Sequence, residues 1–437
     1  MDHGPCAAAS GAGATAAVHP PPALWHHDGP PGPGRAPLVA HGLRAPPGKD
    51  GPLPTLRVLH ANKLYAPWVG GVEAVVQALA EETSRLPGFE VEVLACQPRG
   101  PAADERWNGL RVRRVASRGL FMSTPLAAGY PAALTRALPD FDVVHLHVPF
   151  PLPFLTDWRA SPSTRLVVHF HADVTKAAQR AIYRLAAPLQ ARLFRRADAV
   201  VVTSERLLER SPTLAPWRDR CRVIPLPADL ARARPLADAE RPAWRQRLGL
   251  TPGLPVLLFV GRLVAYKGVA HLLEAMRGVE AQLLVVGEGP LRADLERRAA
   301  RLGVAERVRF LGRLDDDALH AAYQLADLFV LPSCTPAEAF GLVQLEAMMY
   351  GCPVVNTDLP TGVPGVSLHG ETGETVPPGQ AQALRRAIQR LLADEPLRRR
   401  YGEAARRRVE RFDRARIARE VADLYLELCA RPPRREG

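Results

Sequence analysis

The sequence predicts an α/β chain made of two doubly wound, Rossmann-like domains in series. From Thr55 onward, short runs of Val, Leu and Ile alternate with segments whose apolar residues recur at helical spacing, as parallel strands joined by helices require. The alternation stops in an Arg-, Pro- and Ala-rich stretch, residues 231–255, and then begins again. Glycines stand just past several of the apolar runs, where strands turn into helices. At 437 residues and 47% apolar composition the chain has material for two cores rather than one.

Residues 1–54 are rich in Pro, Gly, Ala and His without a period that would bury a face, and they read as a disordered tail. Within it His19, His26, His27 and His41 lack the fixed spacing of a metal site. The first domain, residues 55–230, opens with a strand at 56–60. A helix follows, marked by Val72, Val75, Val76 and Leu79, and then a strand at 91–95, which completes a βαβ unit. Further strands are expected at 143–147, 166–170 and 199–203, and the series closes near Val223 and Ile224 before the Pro225-Leu-Pro227 turn. The second domain, residues 256–410, repeats the pattern with strands at 256–260, 282–286, 308–311 and 328–331. Residues 411–437 supply a last helix, about 414–429, and a tail. Such domains bind ligands beyond the carboxyl ends of their strands, so the site is expected in the cleft between the halves.

Composition narrows the function. The formal net charge is +12, carried almost wholly by arginine, since Lys49, Lys63, Lys176 and Lys267 are the only lysines. This surplus favours anionic partners such as nucleotide diphosphates or acidic membrane surfaces. Nucleic acid is not expected, because no zinc finger, RNP-like aromatic stretch or basic zipper accompanies the charge. No run approaches the roughly 20 apolar residues of a membrane span, and no basic-then-apolar leader opens the chain, so a cytoplasmic location is expected. Six scattered cysteines without a CxxC pair fit a reducing compartment.

The stretch from Pro332 to Val355 is the most informative. The apolar run 329–331 ends at Pro332, Ala339-Phe-Gly341 permits a tight turn, and residues 342–349 form helix, so N–H groups near Gly341 are expected to point out of a helix start where a phosphate binds. Two carboxylates, Glu338 and Glu346, flank it. Hydrolytic carboxyl pairs sit about 5 to 9.5 Å apart. Eight helical residues rise about 12 Å, so transfer ranks above hydrolysis. Other loops offer matching chemistry. Gly70-Gly71 lets backbone approach a phosphate, and Arg262 and Lys267 supply a planar fork and a point charge for a diphosphate. Gly287-Glu-Gly289 and Gly312-Arg-Leu314 make turns at the same sheet edge.

Glu338-Ala-Phe-Gly341 together with Glu346 resembles the paired-glutamate motif of the retaining glycosyltransferases of group 1, usually written Glu-Gly-Phe-Gly; Ala339 is the departure. Gly70-Gly-Val-Glu73, His171-Ala-Asp173, Gly261-Arg-Leu263 and Lys267-Gly268 are similar to further elements of that family, over residues 55–429. The resemblance implies the GT-B fold, with the last helix packed back across the first domain. It also implies transfer of a sugar from a nucleotide diphosphate to a sugar or lipid-linked acceptor, with retention of configuration. In its terms Glu346 meets the ribose, Glu338 the sugar hydroxyls, Arg262, Lys267 and the Gly341 amide the diphosphate, and His171 the donor sugar. Gly70, Gly71, Phe340 and Leu342 complete the donor loops, and Gly287, Glu288, Gly289, Arg313 and Leu314 line the base pocket. No metal and no cofactor beyond the donor are implied.

Residues 337–341, 353–360, 362–364 and 369–373 resemble bacterial mannosyl- and rhamnosyltransferases of surface polysaccharide assembly, though Pro227 stands where that family often has glycine. A GT-B phosphorylase, a nucleotide-sugar epimerase and a nucleotide-sugar binding protein without turnover remain compatible with the sequence. Asp315-Asp-Asp317 contains a formal DxD but precedes a helix, so capping explains it better than metal. His145 and His147 share one strand face and His169 and His171 another, without a carboxylate to complete a ligand set. Lys176, Arg180, Arg184, Arg192, Arg195 and Arg196 accompany Ile182, Leu185, Leu189, Leu193 and Phe194 on an expected basic amphipathic helix, which suits either an anionic membrane surface or an ordinary core-packed face.

Overall fold

The computed structural model describes residues 55–68, 70–175 and 177–432. The tail expected over residues 1–54, together with Val69, Lys176 and residues 433–437, lies outside them.

The first half holds an eight-stranded sheet: β1 Leu56–Ala61, β2 Phe89–Cys96, β3 Ala103–Trp107, β4 Leu110–Val115, β7 Val143–Val148, β8 Arg165–Phe170, β9 Ala199–Val202 and β10 Cys221–Val223. A short hairpin, β5 Leu120–Phe121 and β6 Thr124–Pro125, stands apart from it. The sheet order is β10-β9-β8-β7-β1-β2-β4-β3, parallel throughout except for β3, which pairs antiparallel with β4. The second half is a six-stranded parallel sheet in the order β13-β12-β11-β14-β15-β16. Its strands are β11 Val256–Val260, β12 Gln282–Val286, β13 Val308–Gly312, β14 Leu328–Val330, β15 Val354–Thr357 and β16 Gly373–Val376. Most central strands are apolar on both faces because helices cover both, which is why they read as continuous runs rather than alternations.

Strands β3, β4, β15 and β16 go beyond those expected from the sequence. Strand β3 reads Ala-Asp-Glu-Arg-Trp and lies at the sheet edge with most of its residues exposed, so it carries little apolar signal. Strands β15 and β16 are four residues each, too short for a clear period.

The last helix, Arg414–Ala430, packs along the helix Gly71–Ser84 and buries Ile417, Val421, Leu424, Tyr425 and Leu428. One apolar cluster runs from Val58 and Val143 of the first sheet through Phe412 and Tyr425 to Phe329 and Phe340 of the second half. The two chain crossings between halves are tied together: Ala228 N–H donates to Phe412 O (2.7 Å) and Arg414 N–H donates to Ala228 O (3.0 Å). Arg414 also pairs with Glu82 at 2.7 Å and Asp229 at 2.8 Å.

The basic segment expected as one helix is two: Ala177–Leu185 and Ala187–Arg196. Pro188 has no N–H for the Arg184 carbonyl, and its ring clashes there, so a continuous helix cannot form. In the second helix Leu193 and Phe194 are buried, and Arg196 is tied back to Asp198 at 3.1 Å. In the first, Ile182 and Leu185 are exposed.

Candidate active site

Loops at the carboxyl end of the second sheet converge on one carboxylate. Glu338 lies in the loop after β14, where its Oε2 accepts from the Ser333 hydroxyl at 2.8 Å and pairs with Lys267 Nζ at 2.6 Å. Its backbone carbonyl accepts from the Thr361 hydroxyl at 2.8 Å, and the Thr357 hydroxyl donates to Ser333 O. Both interactions to the carboxylate fall on one oxygen, leaving Oε1 to receive a ligand. Lys267 ends the short turn Ala265–Lys267. The chain then turns through Gly268 in the left-handed region (φ 71°), where a Cβ would stand 1.9 Å from Pro332 O, so only glycine brings this turn against the Glu338 loop. The sequence placed Lys267 as a loop cation aimed at a diphosphate. It is instead buried and ion-paired, because the close Gly268 turn carries it under the loop.

Arg262 differs. It is exposed and its side chain makes no hydrogen bond or ion pair among the described residues, so its guanidinium is open to an anion. Gly341 adopts φ 75° just before the helix Val343–Met349. The Phe340 ring turns away from this loop into the core, 6.1 Å from the Phe412 ring, so Phe340 offers the loop only its main chain. Leu342 is half-buried and packs against the apolar cluster.

Glu346, on the helix Val343–Met349, accepts from the Tyr323 hydroxyl at 2.7 Å. It borders a cavity of about 460 Å³ between the helix Gly71–Ser84 and the helix Asp316–Leu325, with Arg232, Asp229 and His320 nearby. Glu346 keeps an exposed face, yet desolvation around its carboxyl end pushes it above the usual range, against the Tyr323 hydrogen bond and the Arg232 charge. The base-side turns are cross-linked by backbone: Gly287 N–H donates to Gly312 O at 2.7 Å and Leu263 N–H to Glu288 O at 2.8 Å. Glu288 and Arg313 are exposed, and Leu314 is half-buried. Gly289 belongs to the same turn, where a Cβ would meet Leu263 O at 2.4 Å. The DxD caps a helix: Asp315 accepts from Ala318 N–H at 2.8 Å, while Asp316 and Asp317 pair with Arg232 and Arg234.

The first sheet presents Lys63, Gly70, Gly71 and His171 at its own carboxyl edge. Gly70 is the extended residue before the helix Gly71–Ser84, and a Cβ on Gly71 would meet nothing within 4 Å. Lys63 lies 3.9 Å from Glu73. Among the described residues no hydrogen bond or ion pair joins these four to the Lys267–Glu338 cluster; the nearby link between halves is Arg206 to Asp358 at 2.6 Å. Beside them opens a larger, mostly apolar cavity of about 1020 Å³, walled by Phe121, Met122, Leu126, Ile182 and Tyr183.

His171 is not alone. Parallel register sets His60 beside His145 and His147 beside His169, so five histidines share the sheet face under the last helix. Sequence reading paired four of them and missed His60, whose membership depends on β1 lying next to β7. It also missed Ser333, Tyr323 and Tyr425, which carry no local motif. The trios His60, His145, His147 and His147, His169, His171 each bring ring nitrogens within 4.8 Å of one another. Most of the ring nitrogens are nevertheless engaged in hydrogen bonds with each other or with the Tyr425 hydroxyl, and among the described residues no carboxylate joins them.

Two doubly wound domains opposing their loops across a cleft are the GT-B arrangement. A family model described as glycosyl transferases group 1 matches residues 240–408, and one described as a glycosyl transferase 4-like domain matches residues 70–227. The D-rhamnosyltransferase WbpZ of Pseudomonas aeruginosa is 34% identical over 339 residues, covering 77% of this chain and 86% of its own. The O-antigen chain mannosyltransferase C of Escherichia coli is 32% identical over 380 residues, 85% of this chain and 98% of its own. Among solved structures, sucrose-phosphate synthase of Thermosynechococcus elongatus superposes with a TM-score of 0.67 at 27% identity, over 86% of this chain and 99% of that one. Anabaena Alr3699/HepE in complex with UDP-glucose shares the fold with a TM-score of 0.68 at 22% identity, over 85% and 100%. This chain belongs to the group 1 glycosyltransferases.

Proposed function

We propose that the protein transfers a hexose from a nucleotide diphosphate sugar, of the GDP-mannose or UDP-sugar kind, to an acceptor hydroxyl in polysaccharide or glycolipid assembly, with retention of configuration. The observation that carries this reading is Glu338, held through one oxygen by Lys267 and Ser333 with the other oxygen left for sugar hydroxyls. A carboxylate engaged this way positions a sugar better than it attacks one. Retention then follows from same-face displacement: the anomeric bond to the phosphate oxygen breaks, the bond to the acceptor oxygen forms, and the acceptor proton passes to the departing phosphate. In this reading Arg262, Lys267 and the Gly341 amide offset charge on that phosphate, the kind of help worth about 2.7 to 4 kcal/mol per donor. Glu346 and Tyr323 suit the ribose, and His171 the donor sugar from the opposite edge. The O-antigen mannosyltransferase and D-rhamnosyltransferase relatives support a polysaccharide acceptor.

The test is a screen of GDP- and UDP-sugars by thermal shift, in which a donor at 100 times its dissociation constant stabilises by about 2.7 kcal/mol, followed by turnover and the anomeric configuration of the product. Activity is expected to survive EDTA, since the DxD at Asp315 to Asp317 is spent on a helix cap and arginine pairs. Loss in EDTA restored by magnesium or manganese, or an inverted product, rejects the corresponding part of the mechanism.

On the acceptor side, Ile182 stands exposed beside Phe121 and Leu126 around the apolar cavity, and Leu185, Arg180 and Arg184 lie on the same helix as Ile182. An acceptor on a lipid carrier at an anionic membrane surface fits this mixture. No described helix is long and apolar enough to cross a membrane. Co-sedimentation with anionic vesicles that weakens with salt is the expected result, and absence of binding at low ionic strength points to a free acceptor.

A further inference from the structure

We propose that Tyr425, His60 and His147 act as positioning residues that set which tautomer His171 presents at the cleft, through one continuous hydrogen-bonded chain of five imidazoles and a phenol. The inference rests on the reading above, in which His171 meets the donor sugar.

The chain can be followed atom by atom. His171 Nε2 lies 3.0 Å from His147 Nδ1, and His147 Nε2 lies 3.2 Å from His60 Nδ1. His60 Nε2 faces the Tyr425 hydroxyl at 3.5 Å, the longest link. The same hydroxyl bonds His145 Nδ1, and His145 Nε2 lies 3.2 Å from His169 Nδ1. The two nitrogens left over, His171 Nδ1 and His169 Nε2, are the two ends and have no partner among the described residues. All six residues are at most 3% exposed. Burial holds the five rings far below the usual histidine range, so each carries one proton at neutral pH.

One proton per link leaves two arrangements. If His171 bears its proton on Nδ1, its Nε2 must accept, and the constraint passes along the chain until all five rings are Nδ1–H. If His171 is protonated on Nε2, all five are Nε2–H. In both, Tyr425 donates to one histidine and accepts from another. Mixed tautomers would set two lone pairs or two N–H groups against each other in a dry interior, which is costly. Which atom His171 offers a ligand is therefore tied to a hydroxyl on the last helix. Two stacked rows, with His145 and His147 ring centroids 4.6 Å apart and His169 and His171 4.3 Å apart, hold the rings from rotating out of line.

The experiment is long-range ¹H–¹⁵N NMR of the ¹⁵N-histidine-labelled full chain, which distinguishes Nδ1–H from Nε2–H rings, paired with kinetics of Tyr425→Phe. Phenylalanine keeps the ring and removes the link. The expected results are a single tautomer type for the five buried histidines in the wild type, altered His171 and His147 signals in the variant, and kcat lower by about five- to tenfold with donor KM nearly unchanged. Leu428→Val, on the same helix but outside the chain, tests packing and is expected to leave the nitrogen shifts alone. Mixed tautomers in the wild type, unaltered His171 signals in Tyr425→Phe, or a stoichiometric co-purifying metal held by these rings would overturn the proposal. A wild-type protein that turns over no nucleotide sugar sinks the functional reading instead, and the nitrogen shifts report independently of it.

Discussion

Lowering the pH from 7 to 5.5 is expected to destabilise the fold by several kcal/mol, a large part of the total stability of an ordinary domain. The cause is the row of five buried imidazoles. His60 and His171 are pushed down to about 3, and His145, His147 and His169 also lie well below their ordinary value, chiefly because burial penalises the charged ring. The unfolded chain takes up protons near pH 6.5 while the folded chain does not. Stability contributed by these groups is thus present above pH 6.5 and is lost as pH falls from there toward the folded values near 3. Each ring contributes on the order of 1 kcal/mol of the change between pH 7 and 5.5. Urea unfolding midpoints across that range are the measurement. A flat profile would mean that the rings gain protons without unfolding, contrary to their burial.

Lys267→Ala is expected to lower turnover by about 10² to 10³ and to cost about 3 to 5 kcal/mol of stability, since it removes a phosphate donor and strands the buried Glu338 carboxylate. Both side chains are only 10% exposed, so water cannot replace the lost partner. Arg262→Ala separates the two effects. Its side chain is exposed and unpaired among the described residues, so turnover is expected to fall while stability stays within about 0.5 kcal/mol. Adding Glu338→Gln to Lys267→Ala removes the stranded charge and is expected to recover stability without recovering turnover. Donor turnover and thermal unfolding of the four proteins decide the matter. Wild-type rates in both single variants would take these cations out of the mechanism.

The sequence reading gave Lys267 a role in turnover and none in folding. The difference lies in Gly268, whose left-handed turn against Pro332 sinks the lysine beneath the Glu338 loop. Glu338, 71 residues away in sequence, leaves no local mark on a Lys-Gly dipeptide. The split of the basic segment was legible, because Pro188 announces it, yet apolar spacing on both sides suggested a single helix.

Local chemistry by itself determined that the chain alternates strands and helices in two series, that its loops turn at glycines, and that Asp315 caps a helix. These are properties of short segments, where apolar period, φ preference and side-chain reach act within a few residues. Motif spacing also carried the family, since Glu338, Gly341 and Glu346 belong to one loop and its helix. Only the tertiary structure decided which residues from different strands share a face. His60 joins His145 because β1 pairs with β7, His147 joins His169 because β7 pairs with β8, and Tyr425 reaches both rows because the last helix returns across the first sheet. Strand order is set by the summed packing of both faces, a nonlocal quantity, so a row of hydrogen-bonded imidazoles drawn from three strands and one distant helix cannot be read from any window of the chain.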